Sequence, residues 1–168
     1  NCTAGQMRVY SRYMDAQRLE ISRLFHRFGF GPRPGEYAQA LADGVSTTRS
    51  RLLTVPASDP GAAAIVEPKI TDLGPRPKPN TKEIVPFAIE MRYQIQQMVV
   101  WWLDRMAASD HGLTEKMTWF WHGHWATSVQ KLNYAMPMFV QNKTLRTYCL
   151  GNFASMTKAM LNDGALQF

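Results

Sequence analysis

Cysteine is nearly absent from this chain: only Cys2 and Cys149 occur, close to opposite ends. Two cysteines so placed form one bridge or none, which excludes a disulfide-built scaffold. With no C-x-x-C and no third cysteine, a cysteine-based zinc module is excluded as well. Long apolar runs are also missing. The best candidate, Met98 to Leu103, is only six residues long and is followed by Asp104 and Arg105. A membrane helix needs roughly 18 or more apolar residues, so no membrane-spanning segment is expected. Residues 1–20 lack an apolar stretch, so no signal peptide is visible, and a cleaved precursor would look the same.

Catalytic templates are scarce too. There is no G-x-S-x-G, no P-loop, no G-x-G-x-x-G and no H-E-x-x-H. No two acids share an apolar stretch, as a carboxylate pair would require. The net charge is +6, which by itself invites a nucleic-acid reading. The distribution argues against it. Eight arginines fall in the first 51 residues, but Asp15, Glu20, Glu36 and Asp43 are interspersed among them, and no three basic residues are consecutive anywhere. Solvated helix faces with pairs such as Glu20 and Arg23 account for this pattern, and no nucleic-acid partner is expected.

What the chain does have is helical periodicity. An apolar share of 45% with five Trp, eight Phe, six Tyr and ten Met supplies a core. Ile21, Leu24, Phe25 and Phe28 share one face of a helix expected over 11–30, stopped by a left-handed Gly29 and by Pro32 and Pro34. A second helix is expected over 34–44, ending at Gly44, and a third over 47–53 with Ser46 as N-cap. Ile84, Phe87, Met91, Ile95, Met98, Trp102 and Met106 recur every three or four residues, giving a long helix over 81–107. Asn80 and Glu83 form its capping box, with Pro86 placed to kink its first turns or delay its start. Val99, Val100, Trp101 and Leu103 widen its apolar face, so that end is expected to be buried from several sides. Further helices are expected from Leu113 into TWFWHGHWATS (118–128), over 137–148 and over 153–161.

Residues 55–80 differ in kind, holding six of the ten prolines. Prolines remove donors and fix φ, so this stretch is expected to be an extended strap with no element longer than one turn. No period-2 alternation of β-branched residues lasts five positions. The expected class is all-α: an irregular helical bundle of about six helices with a long proline-rich strap. It is either a single helical domain over 1–168 or the N-terminal part of a larger one.

Three stretches together resemble one known family. RLFHRFGFGPRPGE (23–36), MAASDHGLTEKMTWFWHGHWATS (106–128) and QNKTLRTYCLGNFASMTKAMLNDGALQF (141–168) are similar, in order, to the bacterial family called domain of unknown function 1800. The resemblance implies a helical protein found in bacterial proteins that are exported, hence periplasmic or extracellular, with no assigned activity. It also implies further helices beyond Phe168, including a segment of N-E-N-Y-A-R-E-L type that this chain lacks.

The densest chemistry is in the same motif. His122 and His124 would chelate a metal well on a strand, where i and i+2 point the same way. On a helix they lie about 200° apart and cannot readily share an ion. A break at Gly123 would reopen the geometry. Glu115, seven residues before His122 on the same face, is the nearest third ligand, with His111 and His26 as remoter ones. Three readings stay open: buried imidazoles packed among Trp119, Trp121 and Trp125, a metal or cofactor site of His122, His124 and Glu115, or metal-free acid–base chemistry. Ser128 stands four residues after His124 and could bond it on a helix, but no third, orienting group is evident. No cofactor follows from the sequence. Two functions are therefore carried forward. One is a structural or interaction subunit of a larger envelope or extracellular assembly, partnered by another protein chain or by the missing C-terminal part. The other is the N-terminal part of an exported metal- or histidine-dependent enzyme.

Overall fold

The computed structural model describes residues 4–125 and 127–167, with side chains described from Met14 onward. Among the described residues there are eight helices and no strand. They are α1 (Ala4–Phe28), α2 (Glu36–Leu53), α3 (Pro60–Ala63), α4 (Ile84–Ala108), α5 (Leu113–His124), α6 (Val129–Leu132), α7 (Ala135–Tyr148) and α8 (Phe153–Leu161). The all-α class is as expected. The chain divides into two compact units, Asn1–Ser58 with His111–Lys116, and Asp59–Asp110 with Met117–Phe168. Cys2 lies outside the described residues. Cys149 is buried and donates its thiol hydrogen to the Arg146 carbonyl.

In the first unit α1 and α2 pack through Ile21, Phe25 and Ala40, with Tyr37, Leu41, Val45 and Leu52 around them. Two bonds fix their register: Gln17 Nε2 donates to the Leu41 carbonyl and the Tyr37 hydroxyl to the Arg18 carbonyl. Gly44 has φ 82 and ψ 168 inside α2, so the two helices expected here run together across a kink. Buried Thr48 bridges the break by donating to the Ala40 carbonyl. Gly29 does not supply the left-handed residue after α1; Gly31 does, at φ 123. Close packing explains Gly29 instead. A Cβ on Gly112 would sit 3.1 Å from the Gly29 Cα, so two glycines let the backbones meet.

In the second unit Asp59 caps α3, accepting from the Ala62 N–H, and also accepts from the Asp110 N–H and the Ser109 hydroxyl. Asp110 returns the favour by accepting from the Gly61 N–H, and Arg105 donates to the Ala62 carbonyl. The start of α3 is thus tied to the end of α4 by charge-assisted bonds. No helix or strand follows over residues 64–83. Buried Gln94 holds that stretch, accepting from the Thr71 N–H and donating to the Thr71 hydroxyl and Glu90.

The capping box at Asn80 is not formed. Asn80 has φ 67, and α4 starts at Ile84 with Glu83 as its N-cap. Starting there puts Pro86 in the first turn, where its missing N–H has no intrahelical acceptor anyway. Pro137 sits likewise in the first turn of α7. The core joins Met98 and Trp101 of α4 to Met138 and Phe139 of α7, with Ile65, Ile70 and Trp102 against them. Leu145, Met156 and Met160 form a second cluster with Trp121, Trp125 and Tyr148. One expectation fails here. Trp101 is buried, but Val99, Val100 and Leu103 are 43%, 47% and 58% exposed, so that end of α4 is not covered on all sides.

Candidate functional site

The histidine motif occupies the second half of α5. Both His122 and His124 are helical, and Gly123 between them does not end the helix, which runs through His124. The two rings therefore leave the axis about 200° apart. The His122 ring stands edge-on to Trp102, centroids 5.3 Å apart. His124 is exposed and stacks on Phe120, one turn earlier, with Trp121 and Trp125 edge-on to it. Trp121 anchors the turn: its indole N–H donates to the Cys149 carbonyl at 3.0 Å and its ring stacks on Phe153.

Glu115 is buried at the start of the same helix, in the part that belongs to the first unit, whereas both histidines belong to the second. His111 also lies in the first unit, its Nε2 3.4 Å from the Arg51 carbonyl. Among the described residues no group of three or more His, Cys, Asp or Glu is placed to hold a metal. Ser128 lies beyond the end of α5, at the N-cap of α6, so the helical i,i+4 spacing to His124 is not realised. The neighbouring Thr127 instead donates to Gln141, which donates to Asp163, a buried polar chain.

What the motif does form is a cleft of about 370 Å³ lined by Trp119, Phe120, His122, Gly123 and His124. Trp119 and Phe120 are each more than half exposed there. His122 Nδ1 is buried without a hydrogen-bond partner. Burial also holds the His122 pKa below the usual 6.5, because it penalises the charged ring. The sign of the consequence follows. The unfolded chain takes up this proton before the folded one does as pH falls, so stability is full above about 6.5 and declines through the lowered folded value. Urea unfolding at about pH 8 and about pH 5 should therefore show a larger loss for the native chain than for His122→Asn. Equal losses would contradict a buried neutral ring.

A larger cleft, of about 760 Å³, lies in the second unit between residues 65–69 and α4. Its one signal in the sequence is the Gln96–Gln97 pair in the middle of α4, beside the apolar stripe.

The family model described as Protein of unknown function (DUF1800) matches residues 23–168. The chain belongs to this family. The match takes in all of α2 to α8, the His122 cleft included. No curated protein and no solved structure matches the chain. Among the described residues no helix is long and apolar enough to cross a membrane.

Proposed function

We propose that this chain is an interaction module, a helical subunit of a larger bacterial envelope or extracellular assembly. One observation carries the reading. Val85, Ile89, Tyr93, Val100 and Leu103 share one face of α4 and are between 47% and 64% exposed. Their spacing runs the apolar row along about 27 Å of helix. Single exposed apolar residues are ordinary, but five along one face, with Gln96 and Gln97 between Tyr93 and Val100, mark a surface suited to a partner. The bacterial, exported setting rests on the resemblance of the three quoted stretches. The partner is another protein chain or a further part of the same protein.

Site-specific photo-cross-linking in the producing cell tests it, with benzoyl-phenylalanine at Ile89 or Leu103. One discrete cross-linked species at both positions is expected, and none with the probe at exposed Lys158 on α8. Equal, diffuse labelling at all three positions would sink the reading.

A second reading, a metal- or histidine-dependent enzyme, draws on one feature. The unpartnered His122 Nδ1 is a lone pair or N–H in search of a ligand, beside the exposed ring of His124. Against it stands the helical separation of the two rings and, among the described residues, the lack of any group of three or more His, Cys, Asp or Glu placed to hold a metal.

A further inference from the structure

The cleft of about 760 Å³ beside α4 falls in the roughly 300–1,000 Å³ range of ligand sites. One wall is the stretch 65–69, and the other is the α4 row Tyr93, Gln96, Gln97, Val100 and Asp104, with Trp101 in its floor. The stretch runs antiparallel to α4. Ala62 is bonded to Arg105 near the helix end and Thr71 to Gln94 near its middle. Asp104 therefore lies toward one end of the cleft and Lys69 toward the other.

Main-chain hydrogen bonding is incomplete along this wall. Among the described residues, the N–H and C=O groups of Val66, Glu67 and Lys69 bond to no other part of the protein; within the stretch, Ile65 and Ile70 alone donate, to Ala62 and Pro68. Val66 and Glu67, adjacent in a stretch without helix or strand, thus offer two N–H and two C=O groups, and the Ile70-to-Pro68 bond turns the chain at Lys69. Opposite them, the Gln96 and Gln97 amides have no hydrogen-bond partner among the described residues, and each carries donors and an acceptor suited to a peptide group. The floor is rigid: Trp101 is buried, with the guanidiniums of Arg105 and Arg146 over its ring at 5.5 and 5.2 Å. Glu67 is ion-paired with Lys143 at 2.9 Å, which leaves Asp104 and Lys69 as the cleft's charges with no ion pair among the described residues.

We propose that this cleft binds an extended peptide segment of a partner protein, added alongside residues 66–69 and clasped by Gln96 and Gln97, with a basic residue toward Asp104 and an acidic one toward Lys69. Main-chain pairing supplies affinity and the end charges supply register, as in strand-addition sites. From Tyr93 to Asp104 the helix rises about 17 Å, the length of about five extended residues. The inference rests on the interaction reading but can fail without it, since Ile89 and Leu103 belong to the same α4 row as Tyr93 and Val100 but do not line this cleft.

The test is a titration of isotope-labelled protein with the pentapeptide Lys-Val-Thr-Val-Glu, followed by nuclear magnetic resonance. Saturable shifts are expected at the Gln96 and Gln97 side-chain amides and at the Val66, Glu67 and Lys69 main-chain amides. Affinity should fall about tenfold or more when the internal peptide nitrogens are methylated, because main-chain pairing is lost. A smaller fall is expected for Asp104→Asn and for Gln97→Ala, with the rest of the amide spectrum unchanged as a check on folding. No saturable shift at these positions with millimolar peptide would overturn the proposal. So would equal binding of the methylated peptide. A cross-link at Ile89 together with either result would leave the interaction reading standing and place the partner on the α4 row outside this cleft.

Discussion

Replacing Gly61 with alanine is expected to lower the stability of the second unit by about 3 kcal/mol, the upper range for overpacking a tight site. A Cβ there would collide with the Ala108 carbonyl oxygen and stand 2.9 Å from Asp110 Oδ2. The first of these is main chain at the end of α4 and cannot rotate away. Relief requires α3 to back off, which stretches the Gly61–Asp110 bond and the linked bonds of Asp59 and Arg105. Gly123→Ala is the control. It lies inside α5 with nothing within 4 Å of an added Cβ, so alanine should stabilise by about 0.5–1 kcal/mol through helix propensity. Urea unfolding of the two variants gives the comparison. Equal stabilities would mean that α3 is not seated against the end of α4.

In the first unit the largest effect is expected from Phe25→Ala, about 3–5 kcal/mol. Phe25 is 2% exposed, packed with Ile21 and Ala40, and its ring lies under the Arg51 guanidinium at 5.9 Å. Truncation leaves a cavity that α1 and α2 cannot close, because the Gln17–Leu41 and Tyr37–Arg18 bonds fix their register. Against a typical total of about 5–15 kcal/mol, such a loss is large. Leu19→Ala on the same helix should change stability by less than about 0.5 kcal/mol, since Leu19 is 52% exposed. Thermal unfolding followed by circular dichroism distinguishes the two. Similar melting of both variants would show that the α1–α2 contact does not hold this unit together.

Local chemistry made much of this fold legible. The starts of α5 and α8, at Leu113 and Phe153, fall where local signals put them, and Asn152 caps α8 through the Ser155 N–H. The break at Gly44 was readable for the same reason, because only local backbone freedom is involved. Elements decided by distant partners were not. The role of Gly29 depends on Gly112, more than eighty residues away, and periodicity carries no trace of that meeting. The wide apolar face of α4 was legible in the sequence, but periodicity does not tell which of its residues this chain itself buries and which await a partner. The short α3 was hidden in the proline-rich stretch, its cap residue Asp59 also bonded to the distant Ser109 and Asp110. In the histidine motif the separation of His122 and His124 followed from helical spacing only if Gly123 left the helix unbroken, as it does. That His122 packs on Trp102, and that Glu115 belongs to the other unit, required the tertiary structure.

The most direct measurement is the metal content of the purified protein by inductively coupled plasma mass spectrometry, beside the double variant His122→Ala/His124→Ala. If the chain works through its binding surfaces, with His122 a packed neutral ring, the native protein carries well under one metal per chain and the double variant carries the same. Its stability also falls, by an amount in the range of about 1–3 kcal/mol set by lost packing and an altered polar site. One tightly held metal per chain, lost in the double variant with thermal stability otherwise unchanged, would contradict the account and favour the enzyme reading.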